Sequence, residues 1–173
     1  GRKILIKGNH DYWWSSLSKV KKALPPSIDV IQNNAITVGD ISIAGTRLWD
    51  SYEYNFNSII QYQETSLVKQ EKTTKEEEEK IFLREMQRLE MSLSHLDPSS
   101  NVKIVMTHYP PIGLDMTSSR ASKLLEQYNV DICVFGHLHN VKKDIKIFGL
   151  RNNIKYYFVS SDYLNFSPKQ IFP

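Results

Sequence analysis

The sequence predicts an α/β fold, in which short apolar strands alternate with amphipathic helices. Apolar runs such as 102–106 and 130–135 are short and end abruptly, as buried strands do. Other segments repeat apolar residues every three or four positions, as helices do. With 40% hydrophobic and 24% charged residues, the 173-residue chain has the composition of a globular protein and the length of one domain, residues 1–173.

The first part of the chain alternates strands with one helix. The apolar run at 4–6 predicts a strand that leads into a polar loop. Apolar residues recur at helical spacing over residues 12–24, and Pro25 then ends the predicted helix. The next predicted elements are a strand at 28–31 and a hairpin of strands 35–38 and 41–44.

The second part begins with an aromatic segment, residues 49–63, in which no regular period indicates a helix or strand. We expect this segment to pack as an irregular loop rather than to border a pocket. A charge run at 75–80 leads into apolar residues up to Leu96 at helical spacing, which predicts a long amphipathic helix. The remaining predictions are a strand at 102–106, a helix at 119–128, a strand at 130–135, and strands near Ile145 and Tyr156.

Composition excludes several classes of protein. The 22 basic and 19 acidic residues give a net charge of +3, which is far from a nucleic-acid-binding signature. No apolar run approaches the roughly 20 residues of a membrane-spanning helix, and the beginning of the chain lacks the apolar region of a secretory signal. The single cysteine, Cys133, lies in an apolar run and is expected to be a buried thiol. These features predict a cytoplasmic protein without membrane contact.

Four of the five histidines directly follow strand-like runs. They are His10, His108, His137 and His139, whereas His95 lies on a predicted helix without a motif around it. Because the ends of neighbouring strands meet at one edge of a sheet, we expect the four to lie near one another. Taken singly, Asn-His-Asp and His-x-His are weak signals, and their order and strand context carry more information.

Together these segments resemble the calcineurin-like metallophosphoesterase superfamily, and most closely its small bacterial predicted phosphohydrolases. The resemblance is carried by Gly8-Asn9-His10-Asp11, by the strand-terminal His108, and by Gly136-His137-Leu138-His139, in the order of the family. It implies an αββα sandwich, in which two mixed β-sheets are flanked by helices.

The same resemblance implies a site for two divalent metal ions. Asn9, His108 and His137 would bind one ion, and His139 would help to bind the other. Oxygen and imidazole ligands without thiolate suit Mn²⁺, Fe, Zn²⁺ or Mg²⁺, and Mn²⁺ is our first expectation.

The implied reaction is hydrolysis of a phosphomonoester or phosphodiester by a hydroxide that bridges the two ions. His10 would be the catalytic histidine that protonates or stabilises the leaving oxygen, and Asp11 would orient it. The substrate would be a phosphate-ester small molecule or a nucleotide.

Two blocks that open the family pattern, Asp-x-His and Gly-Asp-x-x-Asp, do not occur in these 173 residues. We therefore expect the domain to be N-terminally truncated, with its first two strands missing and its activity belonging to a longer protein. The strand at 4–6 would then lie at an exposed sheet edge, which self-association or an upstream segment would cover.

Two other functions are compatible with parts of the sequence. A non-catalytic metallophosphoesterase-fold module for protein interaction is favoured by the absent acidic ligands and disfavoured by the intact histidines. A nucleic-acid surface would use Lys19, Lys21 and Lys22 with Trp13 and Trp14, but these lysines are explained more simply as the solvated face of an amphipathic helix.

The neutral ligand set predicts that this chain alone binds one divalent ion tightly, at Asn9, His108 and His137. Two unit charges about 4 Å apart repel by about 4 kcal/mol at an effective dielectric near 20, and doubling both charges multiplies this fourfold. Calorimetric titration with Mn²⁺ is expected to give one tight site per chain. Two equally tight sites would contradict the prediction.

Overall fold

The computed structural model describes residues 1–61, 74–143 and 147–172. Within these ranges the chain forms eight strands and three helices, arranged in two sheets, which confirms the predicted α/β fold. None of the helices in these ranges has the length and apolar character needed to cross a membrane.

The smaller sheet is a parallel pair formed by β1 (Lys3–Leu5) and β2 (Ile28–Val30). The connection between them contains α1 (Leu17–Ala23), which packs Val20 against Trp14 and Val30 in a small apolar core. Among the described residues, β1 pairs only with β2, so its other edge is open. Cover of that edge by a second copy or an upstream segment stays a prediction.

Helix α1 begins later than the predicted start at residue 12. The backbone N–H of Tyr12 donates to His10 O, and that of Trp14 donates to Asp11 O, at 2.9 and 3.1 Å, so residues 10–14 form tight turns. The helix starts after Ser16, whose hydroxyl caps it by accepting from the N–H of Lys19. The predicted start was too early because the apolar residues before Ser16 have helical spacing, although local hydrogen bonds hold that segment in turns.

The larger sheet has six strands in the order β3-β4-β5-β6-β8-β7. Strands β4, β5, β6 and β8 run parallel, while β3 and β7 pair antiparallel at the two edges, so the sheet is mixed. The strand predicted near Ile145 lies outside the described residues. The strand bounds are β3 (Ala35–Val38), β4 (Ile41–Thr46), β5 (Val102–Thr107), β6 (Ile132–Phe135), β7 (Leu150–Arg151) and β8 (Ile154–Phe158).

The other two helices, α2 (Lys75–Leu93) and α3 (Arg120–Gln127), begin at capping boxes. The Thr74 hydroxyl accepts from the N–H of Glu77, whose carboxylate accepts from the N–H of Thr74, and Ser119 and Ser122 form the same arrangement for α3. Each helix buries one apolar face in the main core, to which Leu89 of α2 and Leu125 of α3 contribute.

The aromatic segment packs as an irregular loop in its described part, residues 49–61. Phe56 and Ile59 are buried in the main core, and Ile60 forms an isolated bridge with Val141. Residues 62 and 63 of the predicted loop lie outside the described residues.

Ser92 joins α2 to the larger sheet. Its fully buried hydroxyl donates to the carbonyl of Asn34 at 2.7 Å and accepts from the N–H of Gly45 at 2.8 Å. Gly45 itself lies so close to β5 that an added Cβ would be 2.3 Å from the carbonyl oxygen of Met106. A glycine at this position therefore allows β4 and β5 to pair beside the helix.

Ser92→Ala is expected to lower the free energy of unfolding by about 1–3 kcal/mol, because it leaves the buried N–H of Gly45 without its acceptor. Urea denaturation measures this loss. Ser94→Ala is the matched control, since Ser94 is the exposed C-cap residue of the same helix and its replacement should change stability by less than about 0.5 kcal/mol. Equal effects of the two substitutions would contradict the assigned role of Ser92.

Candidate functional site

Three loops meet where strands β1, β5 and β6 end. Asn9 follows β1, His108 directly follows β5, and His137 follows β6 after Gly136. The backbone N–H of His108 donates to Arg47 O at 3.1 Å, and the N–H of Gly136 donates to His108 O at 3.2 Å. These bonds continue the sheet pairing past the strand ends, so the segments after β4, β5 and β6 are held in a fixed relation to one another.

The side chains of Asn9, His108 and His137 converge. Nε2 of His108 lies 2.7 Å from Oδ1 of Asn9 and 3.2 Å from Nδ1 of His137. Nε2 of His108 can donate to Oδ1 of Asn9 in this contact. With the imidazole protons on Nδ1 of His108 and Nε2 of His137 instead, all three atoms have a lone pair that can bind a cation. The structure thus brings together the three residues that the resemblance assigns to one metal ion.

Close packing fixes the two imidazole rings. Tyr109 lies against His137 with ring centroids 3.9 Å apart, and the His108 and His137 rings meet edge to face at 5.0 Å. An added Cβ on Gly8 would lie 3.3 Å from the ring of His108, so a glycine leaves room for that ring. His137 has a backbone φ of 70°, in the left-handed region. The ring of His137 is therefore directed from an uncommon backbone conformation.

Burial keeps both imidazoles neutral. It lowers the pKa of His108 to about 4, and the nearby carboxylate of Asp11 only partly opposes this effect. Burial also lowers the pKa of His137 to about 4, and the proximity of His108 contributes in the same direction. Neutral imidazole is the form that binds metal ions, so both rings are ready to act as ligands at neutral pH.

His139 is exposed and turns toward a different partner. Its Nδ1 donates to Oδ1 of Asp162 at 3.1 Å, and Oδ2 of Asp162 accepts from the N–H of Asn140 at 2.9 Å. Burial opposes ionisation of Asp162, but these hydrogen bonds prevail and lower its pKa. With Nδ1 donating, the Nε2 lone pair of His139 is available to a ligand.

Asp162 is the residue of this site that the sequence did not indicate. It lies 23 residues after His139, beyond β8, and no motif surrounds it. Its only early signal was that it is an acidic residue in a loop that follows an apolar strand.

The catalytic residues predicted by the resemblance lie beside this group. His10 is exposed, and its ring meets Tyr12 edge to face at 6.1 Å. The carboxylate of Asp11 accepts from the N–H of Gly8 at 2.6 Å and from Nε1 of Trp13 at 3.0 Å. Asp11 therefore holds the turn that carries His10, and direct orientation of the His10 ring by Asp11 stays a prediction.

The donor set fits one divalent ion. Oδ1 of Asn9 and Nδ1 of His137 lie 2.7 and 3.2 Å from Nε2 of His108, while no group of three or more His, Cys, Asp or Glu side chains in the described ranges is placed to hold a metal. Cys133 is no candidate ligand here, because burial raises the pKa of its thiol and keeps it protonated. Oxygen and imidazole donors without thiolate are suited to Mn²⁺, Fe, Zn²⁺ or Mg²⁺.

Comparison with known protein families gives a match over most of the chain. The family model described as calcineurin-like phosphoesterase matches residues 1–141, which include all six residues of the predicted site. Searches of curated proteins and of solved structures returned no significant match.

The lowered pKa values predict a pH dependence of stability in the metal-free protein. The pKa of an unfolded histidine is about 6.5, so between pH 6.5 and 4 the unfolded chain takes up protons that His108 and His137 in the folded chain do not. The free energy of unfolding is therefore expected to decrease as the pH is lowered from 6.5 to 4. Urea denaturation in the presence of a chelator, at steps of pH, measures the slope.

Replacing both rings, in the variant His108→Asn with His137→Asn, should reduce that slope. His95→Asn is the control, because His95 is exposed on the protein surface and its loss should leave the slope as in the unchanged protein. A double variant with an unaltered slope would contradict the assignment.

Proposed function

Because the chain belongs to the calcineurin-like phosphoesterase family, we propose that it carries the metal-binding part of a metal-dependent phosphohydrolase, which cleaves a phosphomonoester or phosphodiester. The observation that carries the proposal is the convergence of Asn9, His108 and His137 at the ends of three strands, with both imidazoles neutral. The substrate is a phosphate-ester small molecule or a nucleotide.

Asn9 Oδ1, His108 Nε2 and His137 Nδ1 would hold one divalent ion, with Mn²⁺ as the first candidate. A bound divalent ion supplies Lewis acidity toward phosphoryl oxygens and lowers the pKa of bound water. His139 would present Nε2 toward a second ion, because Asp162 engages its Nδ1. These four side chains lie on loops that follow strands, Asn9 in the smaller sheet and the three histidines in the larger sheet, and strands give the support that precise ligand geometry requires.

His10 is the residue of the group best placed to move a proton. It follows Asn9 directly and is exposed, so a substrate at the Asn9 amide would lie within its reach. An imidazole at this place can donate a proton to the leaving oxygen as the ester bond breaks. Asp11 stabilises the turn that carries His10 through the N–H of Gly8 and the indole of Trp13.

The proposal is tested by hydrolysis of a chromogenic phosphodiester and a chromogenic phosphomonoester with added Mn²⁺, in the full-length natural protein. Metal content is determined on the same samples. His10→Ala is expected to lower kcat by about 10²–10⁴-fold while metal content is kept, since it removes a proton donor. His108→Ala is expected to lower both turnover and metal content.

His95→Ala is the control for loss of a histidine outside the site and should leave both quantities unchanged. Equal loss of metal in the His10 and His108 variants would contradict the separate roles. A folded, metal-loaded protein without turnover on either ester would favour the non-catalytic interaction module instead.

A further inference from the structure

A polar cavity of about 290 Å³ lies beside the candidate metal site, between the smaller sheet and helix α2. Lys7 and Gln32 line it on the side of the smaller sheet, and Arg47, Arg84 and Arg88 line it on the other side. None of these residues belongs to the predicted ligand set, and neither the family match nor the proposed function assigns the cavity a role.

The charge of this cavity is unbalanced. Four cationic side chains, of Lys7, Arg47, Arg84 and Arg88, face one carboxylate, that of Glu85, which leaves an excess of three positive charges. Like charges that share a partly enclosed space repel one another, and a bound anion relieves that repulsion.

Glu85 acts as a fixed anchor for two of the cations. It is 1% exposed, and its Oε1 accepts from Arg47 at 3.0 Å and from Arg88 at 2.6 Å. Its Oε2 accepts from the hydroxyl of Thr46 at 3.3 Å. The carboxylate is thus fully engaged, and it holds two guanidinium groups in place while their other N–H groups remain for a ligand.

The other two cations have spare capacity. Nζ of Lys7 donates to the carbonyl of Trp14 at 3.2 Å, which uses one of its three N–H groups. Arg84 has no ion pair or hydrogen bond within the part of the chain that the structure describes. Arginine forks and a lysine ammonium around a small polar space are the donors that phosphate oxygens accept from.

From this arrangement we propose that the cavity binds a tetrahedral phosphate-type oxyanion, at a site separate from the candidate metal ligands. The two sites adjoin, because the carbonyl of Arg47 accepts from the N–H groups of His108 and Tyr109 at 3.1 and 3.0 Å. Lys7 lies two residues before Asn9. The anion is either free phosphate or a phosphoryl group carried by a larger molecule.

The test is calorimetric titration of the full-length natural protein with inorganic phosphate, at fixed ionic strength and with a chelator present. The chelator removes metal, so phosphate bound at a metal ion does not contribute, and failure of the hydrolysis proposal would not affect the result. One phosphate per chain is expected to bind. Arg84→Gln and Lys7→Gln are each expected to weaken its affinity about tenfold, since each removes a charge-assisted donor.

Lys80→Gln is the matched control, because Lys80 is an exposed cation on the same helix but does not line the cavity. Lys80→Gln should leave the affinity for phosphate unchanged. This result would show that the cavity residues bind the anion, rather than the net positive charge of the protein. Absence of phosphate binding, or equal affinity in the Arg84, Lys7 and Lys80 variants, would overturn the proposal.

A second arm identifies the source of the anion. Phenyl phosphate is titrated against the protein in the presence and absence of saturating inorganic phosphate. Competition that is weakened by Arg84→Gln supports a phosphoryl group on a larger molecule. Binding of inorganic phosphate without competition supports free phosphate, and either result keeps the cavity as an oxyanion site.

Discussion

The contact between Asn9 and His108 is the interaction on which the candidate site depends. It joins a loop of the smaller sheet to the end of β5 in the larger sheet, with 2.7 Å between Oδ1 and Nε2. Both groups are polar and partly buried, so separating them would leave two hydrogen-bonding groups poorly solvated. The relative placement of the two sheets and the position of the third donor, His137, are therefore coupled through one imidazole nitrogen.

The fold could be predicted from the sequence wherever a short apolar run decided the outcome. Strands such as β3 and β5 appear at or within one residue of their predicted bounds, because burial of an apolar face fixes both the position and the register of a strand. The start of α1 was wrong because apolar spacing in residues 12–16 resembles a helix, whereas backbone hydrogen bonds to His10 and Asp11 form turns there. Such turns depend on the conformation of the preceding loop, which periodicity does not report.

In the candidate site too, some contacts could be predicted from the positions of strands and others could not. Convergence of His108 and His137 followed from their positions after the neighbouring strands β5 and β6, since strand ends meet at one edge of a sheet. Asn9 reaches them from the smaller sheet, and the order of strands alone does not explain that contact. The partner of His139 was not found in this way, although Asp162 follows β8, the parallel neighbour of β6. The sequence does not indicate that β8 pairs with β6, and no motif marks Asp162. The partners of Asp11 were hidden for a different reason, which is that a carboxylate in a tight loop has several donors within reach.

Arg47 lies between the group of neutral imidazoles and the cavity lined by cationic side chains. Its carbonyl accepts from the backbone of His108 and Tyr109, while its guanidinium pairs with the buried Glu85 and lies 4.6 Å above the ring of Trp49. Trp49 in turn packs on Tyr109, whose ring lies against His137. The positive field of Arg47 also favours the neutral form of His108. A single residue directly after β4 therefore supports the imidazole group through its backbone and lines the adjoining polar cavity with its side chain.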